Sequence, residues 1–146
     1  MTFTGVVVGI LVVGSALVAG VMLAFSAAVM PALARRPPTE GAAAMQEVDR
    51  VILNPVFLGV YLLTAVASVA ALVVGPWPVR IAGLLYLLGV FVVTTVANVP
   101  LNNRLDDADV ASADGQRFWA HYLRRWTAWN HVRAVAGTAA AVLAFL

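Results

Sequence analysis

Three uncharged apolar segments, residues 6–30, 56–75 and 81–99, restrict what this chain can fold into more than any other feature. They have 19 to 25 residues each, and an α-helix needs about 20 residues to cross a hydrocarbon layer about 30 Å thick. A fourth apolar segment, residues 134–146, is too short alone but has 21 residues if its span starts at Trp126. We therefore expect an all-α integral membrane four-helix bundle, with a single domain over residues 1–146.

Prolines and polar residues between the apolar segments set the expected helix boundaries. The predicted helices are residues 4–31, 41–75, 79–99 and 116–146. Thr39 is expected to cap the second helix, which lies outside the membrane until Pro55 kinks it. Pro100 is expected to end the third helix, because proline removes a backbone donor and its ring clashes with the preceding turn.

The arginines predict the orientation of the chain in the membrane. The net charge of +2 comes with nine basic residues, all arginine, beside the apolar segments rather than in a separate basic domain, so we expect no nucleic-acid partner. Arg80 stands alone on one side, and the two connections on the other side hold Arg35, Arg36, Arg50, Arg104, Arg117, Arg124 and Arg125. The positive-inside rule then predicts a multi-pass inner-membrane protein with both termini extracytoplasmic.

This topology brings polar residues in or next to the second, third and fourth predicted helices to the cytoplasmic mouth of the bundle. The residues concerned are Gln46, Glu47, Asp49, Asn54, Asn98, Asn102, Asn130, His131 and Arg133. Polar groups at that depth avoid lipid, because a charged side chain facing the bilayer centre costs about 2.5–3.5 kcal/mol on insertion scales. The sequence therefore predicts a composite polar site at this end.

An aromatic stripe leads into the polar region of the fourth helix. Trp119, Tyr122, Trp126, Trp129 and Arg133 recur at spacings of three and four residues, so they share one helix face. One interpretation is an aromatic belt at the membrane interface. The other is a pocket for a planar ligand, and both can hold for different residues.

The spacing of the two histidines argues against a shared metal ion. His121 and His131 are ten residues apart, about 15 Å along a helix, so they cannot bind one ion together. The sequence also lacks cysteine and any metal-binding histidine motif, and we expect no metal. His131 is either a base, since imidazole exchanges protons near neutral pH, or a neutral residue hydrogen-bonded between helices. Arg133 is expected to pair with Glu47 or Asp49, or else to anchor an anionic oxygen.

Four segments carry a resemblance to a known family. They are residues 25–33 (FSAAVMPAL), Met45-Gln46 with residues 54–57 (NPVF), residues 98–102 (NVPLN) and residues 126–133 (WTAWNHVR). Together they resemble the anthrone oxygenase-like family over nearly the whole chain, and NVPLN and WNHVR are the most specific parts. The resemblance implies an all-helical membrane bundle whose fungal members oxidise polyketide anthrones to anthraquinones with molecular oxygen and without a recognised cofactor motif.

The resemblance also implies which residues form the site: Gln46, Asn98, Asn102, Asn130, His131 and Arg133. One departure is Asp49, where the family is expected to have asparagine more often. We hypothesise that His131 removes a proton, that Asn98, Asn102 and Asn130 donate hydrogen bonds to the resulting oxyanion and that Arg133 stabilises it. The residues expected to contact the substrate are Trp126, Trp129, Tyr122, Gln46 and Asn54.

The function expected on this basis is a membrane oxygenase for a planar phenolic, anthrone-like or quinone-like compound. Molecular oxygen is the co-substrate and no other cofactor is expected. The alternative is a non-catalytic membrane protein, either a lipid or quinone binder or an accessory subunit. A transporter is disfavoured, because nothing polar continues across the first three helices. Small residues at Gly137 and Ala141 would also suit self-association into a homo-oligomer.

Overall fold

The computed structural model describes residues 2–146, and this part of the chain is all-helical. We label its five helices α1 (Phe3–Ala34), α2 (Pro38–Ile52), α3 (Pro55–Val74), α4 (Trp77–Asp106) and α5 (Ala113–Phe145). Helices α1, α3 and α4 are long and apolar enough to cross a membrane. Helix α5 is the longest at 33 residues, but Asn130, His131 and Arg133 interrupt its apolar half.

The predicted second helix consists of two helices rather than one kinked helix. Helix α2 begins at Pro38, so Thr39 lies inside its first turn and does not cap it. The chain leaves helical geometry at Leu53, and Asn54 caps α3 by accepting hydrogen bonds from the backbone N–H groups of Val56 and Phe57. Pro55 then occupies the first turn of α3, where its missing N–H costs nothing.

The prediction that Pro100 ends the third helix is wrong, because α4 continues to Asp106. Wider π-helical turns at Tyr86–Val92 and Thr94–Asn98 precede the proline. Such turns open the backbone and accommodate a residue that cannot complete the regular hydrogen-bond ladder. The continued helix carries Asn102 one turn beyond Asn98, and α5 also begins earlier than expected, capped by Ser112.

The long helices pack antiparallel to their neighbours. On α1, Ala19 lies against Gly137, and Met22 lies against Asn130, so α1 and α5 run in opposite directions. Tyr86 of α4 donates a 3.0 Å hydrogen bond to the carbonyl of Tyr61 in α3. One apolar cluster fills the half of the molecule around Leu11 and Val90, and a second lies under α2 around Met30, Met45, Trp119 and Tyr122.

The outward faces of the long helices are apolar. On α3 alone, seven large aliphatic side chains are exposed: Val56, Leu62, Leu63, Val66, Val69, Val73 and Val74. A contiguous apolar surface of this kind marks a membrane or protein contact rather than a face in water. Seven polar residues of the described chain are buried. Four of them lie near the place where the long helices meet α2, namely Asp49, Asn98, Asn130 and Arg133, and the other three, Ser15, Thr64 and Ser68, lie on α1 and α3.

Candidate functional site

A cavity of about 130 Å³ lies where all five helices converge. Its polar lining comprises Asp49, Tyr61, Thr94, Asn102, Asn130 and Arg133, and Phe25, Phe57 and Trp126 contribute aromatic walls. Ligand pockets commonly have about 300–1,000 Å³, so a three-ring compound requires displacement of rim side chains. Leu53 and Val99 are the exposed members of the rim, and both are apolar.

Asn102 organises one wall of the cavity. Its Oδ1 accepts a 2.9 Å hydrogen bond from the Tyr122 hydroxyl and a 2.8 Å hydrogen bond from Nε1 of Trp126. The Tyr122 hydroxyl also lies 3.5 Å from a carboxylate oxygen of Asp49. Both of these contacts use Oδ1. The Asn102 amide nitrogen makes no hydrogen bond within residues 2–146, so it remains available as a donor.

Asp49 is a buried carboxyl group without a cationic partner in the described residues. The spacing of Ala42, Met45 and Asp49 places all three on the buried face of α2, and Asp49 is 6% exposed. Burial, and secondarily the negative charge of Asp106, raises the pKa of Asp49 from 3.8 to about 7. A carboxyl group with this pKa can exchange a proton near neutral pH.

Arg133 reaches the cavity from α5 and is 5% exposed. Its Nη1 donates to Thr94 Oγ1 at 3.2 Å, and its Nη2 donates to Asn130 Oδ1 at 2.8 Å. Nε has no hydrogen-bond partner in residues 2–146, and neither does the buried Tyr61 hydroxyl. The predicted ion pair of Arg133 with Glu47 or Asp49 does not form, since the described ion pairs exclude it and Glu47 pairs with Arg50 at 3.4 Å.

The remaining asparagines fix the local structure around Arg133. Asn130 Nδ2 donates to the Met22 carbonyl and to Ser26 Oγ, both at 2.7 Å, which ties α5 to α1 and aims Oδ1 at Arg133. Asn98 donates a 3.3 Å hydrogen bond to the Trp126 carbonyl and is buried beside the cavity, without lining it. Asn98 therefore affects the cavity only through its hydrogen bond to α5, whereas Asn130 lines the cavity and also orients Arg133.

Six predicted site residues do not line the cavity. Asn98 and Tyr122 contact its walls through hydrogen bonds to Trp126 and Asn102, and four others lie away from it. His131 is exposed on the opposite face of α5, so the expectation that it projects into the helix packing is not met. Trp129 is half-buried and does not line the cavity. Gln46 donates to the Leu105 and Ala108 carbonyls, which holds α2 against the end of α4, and Asn54 serves as a helix cap.

Sequence reasoning gave too little weight to Asp49 and missed Tyr61 and Thr94. The signal for Asp49 was its position on the small-residue face of α2, four residues after Met45. The signal for the other two was a polar group within an apolar segment. In residues 2–146 no three His, Asp or Glu side chains are grouped as a metal ion requires, so the lining offers hydrogen bonds and charge instead.

Comparison with known proteins gives one match. A family model described as anthrone oxygenase matches residues 7–143, which include every residue that lines the cavity. No curated protein and no solved structure matches the chain.

Proposed function

The chain belongs to the anthrone oxygenase family, and we propose that it is a membrane-embedded oxygenase for a planar phenolic, anthrone-like or quinone-like compound. One observation carries this proposal: Asp49 and Arg133 line the same buried cavity without pairing with each other. A base and a cation held apart in one cavity can act on the two ends of a carbon acid. Asp49 receives the proton, and Arg133 receives the negative charge.

Substrate binding uses the donors that the protein leaves unpaired. Arg133 Nε and the Tyr61 hydroxyl both lack acceptors, and a phenolate or enolate oxygen can accept from both. The rings of Phe25 and Trp126 lie 5.6 Å apart between their centroids and provide apolar walls for an aromatic compound. A planar ligand with an acidic oxygen therefore fits the chemistry of this lining better than a neutral aliphatic one.

The reaction balances without a further oxidant. Asp49 accepts the benzylic proton of an anthrone, and the electron pair of that C–H bond delocalises onto the carbonyl oxygen beside Arg133. The carbanionic carbon forms a C–O bond with dioxygen, and the peroxide takes up a proton to become a hydroperoxide. Loss of water from this intermediate forms the second carbonyl, so one anthrone and one dioxygen give one anthraquinone and one water. The substrate supplies all four electrons.

We assign the base to Asp49 in place of His131, which sequence reasoning favoured. His131 is exposed outside the cavity, whereas a general base must come within hydrogen-bond distance of the proton that it removes. Asn102 supplies a further donor, and Asn130 and Thr94 hold Arg133 in place.

In the proposed membrane arrangement α5 is a fourth span that begins near Trp126, so that α1, α3, α4 and α5 form a four-helix bundle. The antiparallel contacts of neighbouring helices support it, and so does the excess of arginines in the connections on one side. Both termini are then extracytoplasmic, the inner membrane holds the protein, and the cavity lies toward the cytoplasm under α2.

Oxygen uptake with an anthrone tests the proposal. Membranes containing the wild-type chain should consume one dioxygen per anthraquinone formed. Asp49→Asn should lower the rate by about 10²- to 10⁴-fold, the contribution of a positioned general base. His131→Ala is the matched control and should retain the wild-type rate. Anthrone binding to the wild type without oxygen uptake would identify a binder instead, and loss of activity in His131→Ala alone would return the base to His131.

A further inference from the structure

A second polar feature lies outside the cavity, in a groove between the end of α1 and the adjacent face of α5. The groove has a volume of about 420 Å³. Its walls are mainly apolar, and its only ionisable residues are Arg124 and His131; the other lining residues are Met30, Pro31, Ala34, Leu123, Thr127 and Ala128. The oxygenase chemistry proposed above uses none of these side chains.

Arg124 and His131 share one side of α5. They are seven residues apart, which corresponds to about two turns and a rise of about 10.5 Å. Both side chains are exposed, and neither makes a hydrogen bond or ion pair within the described chain. Two unpaired polar groups therefore face one apolar groove at two levels along the helix.

Arg124 and His131 lie on either side of the boundary between the polar and the apolar part of a lipid. If α5 enters the membrane near Trp126, Arg124 lies just outside that boundary and His131 lies about 7.5 Å inside it. Within a bilayer a polar group without a partner is costly, and the nearest lipid acceptors are the phosphate oxygens at the level of Arg124 and, for His131, the ester oxygens at the boundary of the hydrocarbon layer. This step rests on the proposed membrane position of α5 and does not depend on the oxygenase activity.

We propose that this groove binds the headgroup of an anionic phospholipid, with Arg124 on the phosphate and His131 on a neighbouring lipid oxygen. Charge favours an anionic lipid over a zwitterionic one, because Arg124 lines the groove, Arg35 directly follows its α1 wall, and no acidic side chain lines it.

Native mass spectrometry of the intact protein in detergent tests this site. The probes are dioleoyl phosphatidylglycerol, dioleoyl phosphatidylcholine and inorganic phosphate, each added alone. The wild type should retain phosphatidylglycerol in preference to phosphatidylcholine. Arg124→Ala and His131→Ala should each weaken phosphatidylglycerol binding by about five- to tenfold, and His131→Gln, which keeps a hydrogen-bond donor, should restore part of it.

Arg125→Ala is the matched control, because it removes the same charge from the next position of α5 but does not line the groove. It should bind phosphatidylglycerol as the wild type does. An equal loss in Arg125→Ala would mean diffuse attraction and would overturn the site, as would equal retention of both lipids. Binding of inorganic phosphate that requires Arg124 would replace the lipid with a free phosphate. Circular dichroism melting confirms that each variant is folded, and oxygen uptake in His131→Ala reports separately on the proposed activity.

Discussion

The guanidinium carbon of Arg133 lies 5.1 Å from the centroid of the Trp126 ring, within the range of a cation–π contact. Thr94 and Asn130 hold the two terminal nitrogens, and no carboxylate pairs with the group in residues 2–146. A buried cation without an anion costs stability, and proteins keep such groups where they bind or stabilise negative charge. The Arg133 charge is therefore expected to stabilise the negative charge of the substrate and to lower the stability of the fold.

Replacing Arg133 should change activity and stability in opposite directions. Arg133→Met should reduce kcat/KM at least 100-fold, because the developing oxyanion loses its charged partner. Its melting temperature should equal or exceed that of the wild type, since an apolar side chain of similar length removes an unpaired buried charge. Arg133→Lys keeps the charge but loses the planar fork, and its activity should also fall. Thermal melting and oxygen uptake on the same preparations measure both effects, and a strongly destabilised Arg133→Met would contradict the unpaired state.

The raised pKa of Asp49 predicts opposite pH trends for activity and stability. A base works when ionised, so the rate should rise with pH through about 7. The folded-state pKa exceeds the unfolded value of 3.8, so the folded state binds the proton more tightly. Its stabilising contribution is complete below pH 3.8 and is lost as pH rises through about 7. Chemical unfolding across this range should show the decline, and the neutral Asp49→Asn variant should show a flatter profile.

Asp106 offers a way to shift this profile without touching the cavity. Its negative charge raises the pKa of Asp49 as the second cause after burial. Asp106→Asn should therefore move the ascending limb of the rate profile to lower pH and leave the rate at its plateau unchanged. Asp107→Asn removes the same charge from the next residue, which does not contribute to this pKa, and serves as control. A profile that moves equally in both variants would point to a general surface effect.

Tyr122 should shift the same profile in the other direction. Its hydroxyl donates toward the Asp49 carboxylate at 3.5 Å and thereby favours the ionised form. Tyr122→Phe removes this donor and the 2.9 Å hydrogen bond to Asn102, so the limb should move to higher pH. A merely structural role would lower stability without moving the limb. Rate profiles recorded at saturating substrate distinguish these two results.

The sequence predicts the helices correctly where the length of an apolar segment determines them. All of residues 6–30, 56–75 and 81–99 except Gly75 lie in the three apolar helices, because any such segment must satisfy its backbone hydrogen bonds internally. The ends were harder to predict, since Pro100 normally breaks a helix and only the preceding π-helical turns let α4 continue. Asn54 was likewise expected in the site, but its side chain satisfies the first backbone donors of α3.

The cavity lies at the end of the bundle where the sequence predicts the polar site, but His131, the predicted base, does not line it. Spacing along α5 correctly put Trp126 and Arg133 on one face, and Asn130 between them also faces inward. His131 immediately follows Asn130, and one residue is a rotation of about 100° on a helix, so both cannot face the cavity. Which of the two faces inward depends on contacts with Met22 and Ser26 of α1, which no local pattern encodes.

Close packing of α3 and α4 leads to a prediction about two glycines. A Cβ on Gly83 would lie 2.7 Å from the Ser68 carbonyl oxygen, a backbone atom that cannot rotate away. Gly83→Ala should therefore separate the helices and destabilise the protein by about 1–3 kcal/mol, as overpacking does. On α1, a Cβ on Gly20 would meet nothing within 4 Å, so Gly20→Ala should stabilise by about 0.5–1 kcal/mol.

The two glycine variants should differ in activity as well. Gly83 lies one turn before Tyr86, whose hydroxyl donates to the Tyr61 carbonyl, and Tyr61 lines the cavity. A shift of α4 against α3 should therefore disturb the unpaired Tyr61 hydroxyl and raise KM, whereas Gly20→Ala should leave KM unchanged. Chemical unfolding in detergent gives the stabilities, and oxygen uptake gives KM. If Gly83→Ala lowered stability but kept the wild-type KM, the Tyr61 hydroxyl would have no part in substrate binding.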